Sequence, residues 1–223
     1  FASVTIIAYI RRQDSYAASR YNSALKVGAA RNIPTFQRFC EQEDMDFGGA
    51  MGRWEQMKGD ALMIVRPFAR AAWRNQDILS DFFAIVAPDM PVPQGHQGAS
   101  NPSWPLPAIE LLRHLNDKEL AHSRRLGNLI REAAEQLPLR LDEGLLTPEI
   151  QRMLLARYRD SNRRLAARYW TEAEARMFDQ QHVKTYSKPY AGLDSRDAAQ
   201  VIAAIWKAVG PRAEDLPNAD LQS

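Results

Sequence analysis

Apolar and polar residues follow one another along the chain in blocks that predict strands and helices in turn. Residues 4–10 form a short, continuous, β-branched run, and residues 61–65 form a second, so both predict fully buried strands. Residues 13–27 place Tyr16, Ala17, Tyr21, Ala24 and Leu25 on one side at helical spacing. The same spacing predicts further helices over residues 35–43, 50–58, 76–87, 108–116, 118–137, 148–170 and 195–209.

Several boundaries of these helices are marked by residues that start or stop a helix. Thr147-Pro148-Glu149 combines an N-cap, a proline at the first helical position and an acidic first turn. Thr171 and Asp194 are predicted N-caps of two later helices. Gly48 and Gly49 are expected to interrupt the chain before the helix over residues 50–58.

The balance of elements predicts one helix-rich α/β domain over residues 1–223. Residues 88–107 contain six of the 13 prolines and predict an irregular loop, after which residues 108–223 form a mainly helical part. Two strands of central character need neighbouring strands that this chain barely supplies. Because the apolar run also begins just after Phe1, we expect the sequence to start inside a longer protein.

Composition and charge place the chain among ordinary globular proteins. Hydrophobic residues make up 45%, charged residues 25%, and the net charge is +2, which excludes a disordered tail, a collagen or a disulfide scaffold. No apolar run is long enough to span a membrane, and no charge block indicates nucleic-acid binding. The single cysteine, Cys40, predicts a buried structural thiol and a reducing, cytoplasmic location.

Most of the chemical information lies where the first strand gives way to the first helix. Arg11 and Arg12 end the strand, and Ser19 follows two turns into the helix. A turn and a short length of helix would bring Arg11 and Ser19 to one side of the strand end, where they would hold a phosphate near a helix N-terminus. Residue chemistry alone leaves open the alternative that both arginines form a solvated strand end.

This segment resembles the 3′-phosphate-binding element of sulfotransferases that use 3′-phosphoadenosine-5′-phosphosulfate (PAPS), where an Arg ends a strand and a Ser follows eight residues later. It is most similar to a bacterial branch of that family, in which Gln13 stands where Pro is more usual. The residues that carry the resemblance are Tyr9, Arg11, Arg12, Gln13, Asp14, Ser19, Tyr21 and Asn22. Further similar segments, in the same order, are Val65–Phe68, Asp77–Phe83, Asn101–Ser103, Leu111–Asn116, Leu146–Glu149 and Ser161–Ala166.

The resemblance covers roughly residues 4–170 and implies a P-loop NTPase-like three-layer fold with parallel strands. It implies transfer of a sulfuryl group from PAPS to a hydroxyl or amine of a saccharide or small-molecule acceptor, with Arg11 and Ser19 on the 3′-phosphate and no metal. The loop 88–107 is the expected acceptor side. The family's Gly-rich phosphosulfate loop with its Lys is not found at any lysine, so this loop and the catalytic base are expected upstream or lost. The lysines are Lys26, Lys58, Lys118, Lys184, Lys188 and Lys207.

Two other functions stay open. The chain could be an inactive sulfotransferase-like module used for binding, or a helical interaction protein. In the second case the arginines of the predicted helix 148–170 would bind nucleic acid, although a solvated face is the expected role of these side chains. They are Arg157, Arg159, Arg163, Arg164 and Arg168. The four histidines are widely separated and predict no metal site.

Overall fold

A pair of parallel strands organises the amino-terminal half of the computed structural model, which describes residues 4–27, 34–92, 104–117, 124–137 and 142–209. Strand β1 (Thr5–Ile10) pairs with β2 (Leu62–Pro67) along its whole length, from Thr5 opposite Leu62 to Ile10 opposite Pro67. Three helices lie between them in the chain: α1 (Gln13–Val27), α2 (Phe36–Gln42) and α3 (Phe47–Met57). The predicted order of strand, basic turn and helix is confirmed.

Helices dominate the rest of the described chain. Two single 3₁₀ turns, Arg70–Ala72 and Arg74–Gln76, lead into the next elements. These are α4 (Ile78–Val86), α5 (Leu106–Asp117), α6 (Arg124–Ala134), β3 (Glu143–Gly144), α7 (Pro148–Arg157), α8 (Arg159–Tyr169), α9 (Glu172–Asp179), β4 (Lys188–Pro189) and α10 (Ser195–Val209). Strands β3 and β4 form a second short parallel pair, so the described part is a helix-rich α/β structure, as predicted.

Three apolar cores hold these elements together. The largest joins α1, α2 and α7, the second joins α5, α6 and α10, and the third lies between the β1–β2 pair and helices α8 and α9. In the first core, Tyr21 packs edge-on against Phe36 and Phe39. Cys40 is fully buried there, as predicted, and burial raises the pKa of its thiol to about 12.

The expectation that both strands are fully buried is wrong in part. Ile10 and Val65 are buried against α8 and α9, but Ile7 and Ile64 on the opposite face are only half-buried, and Leu62 is 58% exposed. Within the described ranges the sheet contains these two strands only, so each has one unpaired edge. The two continuous apolar runs therefore contain more apolar side chains than the β1–β2 pair buries.

The predicted break at Gly48 and Gly49 is also wrong, because both glycines lie in the first turn of α3. Asp46 is the N-cap of α3, and its side chain accepts a hydrogen bond of 2.8 Å from the backbone N–H of Gly49. A Cβ on Gly48 would lie 2.7 Å from the backbone oxygen of Ser161 on α8. Glycine is therefore needed here for the close approach of two helices rather than for a turn.

Replacement of Gly48 by alanine is expected to lower the free energy of unfolding by about 1–3 kcal/mol, because α3 and α8 must separate to admit the methyl group. Gly52 in the same helix is exposed, and a Cβ added to it would have no other atom within 4 Å. Gly52→Ala is the matched control and should raise the free energy of unfolding by about 0.5–1 kcal/mol. Urea titration of both variants measures the difference, and equal effects at the two positions would contradict the close approach.

The single helix predicted over residues 148–170 is interrupted at Tyr158, which separates α7 from α8. Tyr158 has φ −104° and ψ 9°. Its hydroxyl accepts from the backbone N–H of Met45 at 3.0 Å and donates to the carbonyl of Glu43 at 3.2 Å. These contacts to the segment before α3 fix Tyr158 in the core, and local sequence does not reveal them.

The predicted N-caps are confirmed. The Thr147 hydroxyl accepts from the N–H of Ile150, Thr171 forms a capping box with Glu174, and Asp194 accepts from the N–H of Asp197 at 2.8 Å. In α10, Val201 is fully buried, whereas Ile202 is 61% exposed.

The predicted loop 88–107 is described only at its two ends. Residues 93–103 lie outside the described residues, and α5 already begins at Leu106. Among the helices that are described, none combines the length and apolar character needed to cross a bilayer.

Candidate functional site

Arg11 lies just after the carboxyl end of β1. Its Nε donates a 2.7 Å hydrogen bond to Ser15 Oγ, and its guanidinium lies 5.4 Å from the ring centroid of Phe68, which follows β2. No carboxylate of the described residues lies at ion-pair distance from it. Burial lowers the pKa of Arg11 while the charge of Asp14 raises it, and the side chain remains a cation at neutral pH. The result is a half-buried positive charge without a neutralising contact.

The neighbouring Arg12 points into the structure instead. It is 4% exposed and forms a bidentate pair with Asp14, with N–O distances of 2.9 and 2.8 Å. Its remaining N–H groups donate to backbone carbonyls at the end of α9 and beyond, at Phe178, Asp179 and Gln181. A guanidinium at a helix C-terminus satisfies carbonyls that lack partners. For Arg12, the alternative of a solvated strand end is therefore wrong.

Two buried polar residues at the start of α1 fix the turn between β1 and α1. Gln13 and Asn162 exchange a reciprocal pair of amide hydrogen bonds, each 2.9 Å long, and Gln13 also donates to the carbonyl of Met45. Asp14 accepts from Gln151 on α7 at 2.8 Å as well as from Arg12. Both contacts join α1 to helices far away in sequence, so the backbone that carries Arg11 is held from several sides.

The two sequence-predicted site residues are not in direct contact. Arg11 hydrogen-bonds to Ser15 rather than to Ser19. Ser19 lies one helical turn beyond Ser15 on the same face of α1, is half-buried, and makes no side-chain hydrogen bond to a described residue. Tyr21, two residues further on, is 2% exposed in the core and donates to the carbonyl of Pro34, so it belongs to the packing and not to the site.

An ionic cluster that the sequence did not reveal lies at the same end of the sheet. Asp81 on α4 is 3% exposed and accepts from Arg66 at 3.1 and 2.7 Å, from Tyr9 Oη at 2.8 Å and from the backbone N–H of Arg74 at 3.0 Å. Arg66 also pairs with Glu174 on α9. The sequence did contain one sign of this cluster, because Asp81 is an acidic residue among the apolar residues of α4. A buried carboxylate requires a charged or hydrogen-bonding partner.

Every member of this cluster is already paired within the protein. Burial tends to raise the pKa of Asp81, but hydrogen bonds from Arg66, Arg74 and Tyr9 outweigh it, so the pKa lies below its ordinary value. The pKa of the Tyr9 hydroxyl is raised by burial and by Asp81. The cluster ties β1 and β2 to α4 and α9, and its carboxylates, Asp81 and Glu174, pair with Arg66 rather than with Arg11.

A surface cavity of about 310 Å³ lies at the opposite, amino end of β2. It is lined by Glu55, Lys58, Leu62, Met63, Arg168 and Tyr169. The polar groups satisfy one another, since Tyr169 Oη donates to Glu55 at 2.7 Å and Arg168 pairs with Glu55 at 3.0 Å. Lys58 and Gly59 form the turn between the end of α3 and the start of β2. This Lys-Gly pair therefore does not precede a helix, as the lysine of a phosphosulfate loop does.

The arginines of the predicted helix 148–170 do not form one continuous face. They are divided between α7 and α8, and Arg157 donates to the carbonyls of Cys40 and Glu41 at 3.0 and 3.1 Å. Arg168 pairs with Glu55. These contacts give two of the five arginines structural roles. Over the same described ranges, His, Cys, Asp and Glu side chains form no cluster of three suited to a metal.

Comparison with known proteins gives one distant similarity. The chain is 24% identical over 188 residues to an uncharacterized protein of Archaeoglobus fulgidus, covering 81% of this chain and 50% of that protein. The chain therefore spans about half the length of this curated relative. No family model matches the chain, and no solved structure matches it significantly.

Proposed function

We propose that this chain carries the 3′-phosphate-binding part of a sulfotransferase. The whole protein would transfer a sulfuryl group from PAPS to a hydroxyl or amine of a saccharide or small-molecule acceptor. The observation that supports this is the state of Arg11, a half-buried cation at the carboxyl end of a parallel strand with no carboxylate at ion-pair distance among the described residues. Open α/β sheets bind their ligands at this end.

The hydrogen-bonding groups around Arg11 suit a phosphate. Its Nε is used by Ser15, whereas its two terminal nitrogens have no acceptor in the described part of the chain. A guanidinium with both terminal nitrogens available grips phosphate oxygens in a bidentate way. Because Ser15 Oγ accepts from Arg11, its own hydrogen can be donated to the same ligand. Ser15, absent from the sequence-based assignment, therefore joins Arg11 and Ser19 as a binding residue.

The proposal assigns only the 3′-phosphate end of the donor to these residues. Transfer also requires groups that hold the 5′-phosphosulfate, and no lysine of the described ranges lies in a Gly-rich turn before a helix. A P-loop NTPase-like three-layer fold is part of the same proposal. It is supported by the parallel β1–β2 pair with helices between the two strands in the chain.

In the proposed reaction the acceptor oxygen or nitrogen attacks sulfur in line. The bond between sulfur and the bridging oxygen of the 5′-phosphate breaks, and the acceptor proton passes to a base. The products are the sulfated acceptor and adenosine 3′,5′-bisphosphate. Arg11, Ser15 and Ser19 contribute by anchoring the 3′-phosphate, which fixes the donor and so reduces the entropy cost of reaching the transition state. Segment 88–107 is the proposed acceptor side.

Adenosine 3′,5′-bisphosphate, which is what remains of PAPS after sulfuryl transfer, is expected to bind this chain and raise its melting temperature. Arg11→Ala should weaken binding roughly 10- to 100-fold, since hydrogen bonds to charged groups contribute about 1.5–3 kcal/mol. Thermal shift and titration calorimetry measure both effects. Arg20→Ala is the matched control, because Arg20 is an exposed arginine on the same helix whose nearest acidic oxygen, on Glu43, is 3.6 Å away.

Failure to bind, or binding that Arg11→Ala leaves unchanged, would refute the nucleotide site. Arg11-dependent binding together with no sulfuryl transfer by the full-length protein would favour the inactive binding module.

A further inference from the structure

Asn22 on α1 is a buried polar residue, 7% exposed. Its Oδ1 is fully buried and has no hydrogen-bond partner among the residues that the structure describes. A buried amide normally makes its hydrogen bonds inside the protein, because an unmade one carries a desolvation penalty. Another buried amide of α1, Gln13, is fully bonded to Asn162 and Met45. The side-chain oxygen of Asn22 therefore lacks a hydrogen bond of the kind that the buried amide of Gln13 makes.

Asn22 lies on the face of α1 that carries the proposed phosphate-binding residues. Ser15, Ser19 and Asn22 are spaced i, i+4 and i+7, so successive turns of the helix place them in one row. Lys26 continues this row, with its Nζ 5.4 Å from the ring centroid of Trp104. The orphan amide is therefore a buried polar group about one turn beyond Ser19, in the direction away from Arg11.

We propose that Asn22 binds the ribose 2′-hydroxyl of the ligand whose 3′-phosphate is held by Arg11, Ser15 and Ser19. This inference rests on the proposed function. Side chains one turn apart on a helix have Cβ atoms about 5–6 Å apart, which matches a phosphate and the hydroxyl on the adjacent ribose carbon. A hydroxyl both donates and accepts, so it satisfies the amide whichever of its two polar atoms faces the ligand. Asn22 thereby selects a ribonucleotide 3′-phosphate over its deoxy analogue.

Binding of adenosine 3′,5′-bisphosphate and its 2′-deoxy analogue by the whole chain tests this assignment. The wild-type protein should bind the ribose form about tenfold more tightly, the size of one well-made hydrogen bond. In Asn22→Ala the two ligands should bind within about twofold of each other. Arg20→Ala, at an exposed position of α1 that faces away from this row, is the matched control and should keep the preference.

Stability gives a second readout. Because Asn22 Oδ1 has no partner among the described residues, Asn22→Leu should raise the melting temperature of the free protein while abolishing the preference for ribose. A fall in the melting temperature would show that the amide is bonded within the protein, and would overturn the assignment.

The failures of the two proposals are distinguishable. Absence of binding, or binding indifferent to Arg11→Ala, removes the nucleotide site itself and this inference with it. Arg11-dependent binding without a ribose preference in the wild type, or with a preference that Asn22→Ala retains, overturns only the role of Asn22.

Discussion

Replacement of Arg12 by alanine is expected to lower the free energy of unfolding by about 3–5 kcal/mol, the range for breaking a buried ion pair from one side. The change leaves Asp14 buried with its charge largely uncompensated. It also removes the donors for the carbonyls of Phe178, Asp179 and Gln181. Because Arg12 links the β1–α1 turn to the end of α9, the loss should be global and cooperative.

Arg11→Ala is the control for Arg12→Ala, since it removes the same side chain from the adjacent position. Arg11 makes one side-chain hydrogen bond, to Ser15, and a contact with the Phe68 ring. Its loss should cost at most about 1 kcal/mol. Urea unfolding followed by circular dichroism measures both variants. Similar losses for the two arginines would contradict the assignment of a structural role to Arg12 and of a proposed binding role to Arg11.

Asp81→Ala is the second change with a large expected effect, about 3–5 kcal/mol of unfolding free energy at neutral pH. The carboxylate is 3% exposed and accepts four hydrogen bonds, two from Arg66 and one each from Tyr9 and the N–H of Arg74. Its removal leaves the Arg66 guanidinium with Glu174 as its remaining carboxylate partner.

The pH dependence of stability follows from the lowered pKa of Asp81. A carboxyl group whose pKa is lower in the folded than in the unfolded protein stabilises the fold above the unfolded value, here 3.8. That contribution is lost as the pH falls through the lower, folded-state pKa. Asp81→Asn should therefore show a smaller loss of stability between neutral pH and strong acid than the wild type does.

Asp77 provides a comparison on the same helix, because it caps α4 from an exposed position, its carboxylate accepting from the N–H of Ser80 at 2.7 Å. Asp77→Ala should destabilise the protein less than Asp81→Ala. The reverse order, or an acid dependence that Asp81→Asn leaves intact, would contradict the central role given to the buried carboxylate.

Sequence patterns predicted those elements whose causes are local. The continuous β-branched run before Arg11 gives β1, and the apolar spacing from Tyr16 to Leu25 gives the buried face of α1. Thr147 and Thr171 cap helices as predicted, because a cap depends on the few residues beside it.

The features that the sequence did not predict depend on contacts between distant residues. Gly48 suits a helix only because Ser161 lies against it, and Tyr158 interrupts a helix because of its bonds near Met45. Strands β3 and β4 have two residues each, too few for any periodic pattern.

In the candidate site, sequence placed Arg11 at the strand end correctly but could not separate its role from that of Arg12. The difference arises from where each side chain points, and the backbone carbonyls that Arg12 binds lie about 170 residues away in the chain. Ser15 was missed because the expected spacing selected Ser19 alone. Asp81 was missed because an acidic residue on a short helix is most often solvated.

The proposal that Arg11 binds the 3′-phosphate is tested most directly by comparing adenosine 3′,5′-bisphosphate with adenosine 5′-monophosphate, which lacks that phosphate. Calorimetry on the wild type should give a preference for the bisphosphate of roughly 10- to 100-fold, and Arg11→Ala should abolish most of it. A wild-type protein that binds both nucleotides equally, or a preference that survives Arg11→Ala, would contradict the proposed site.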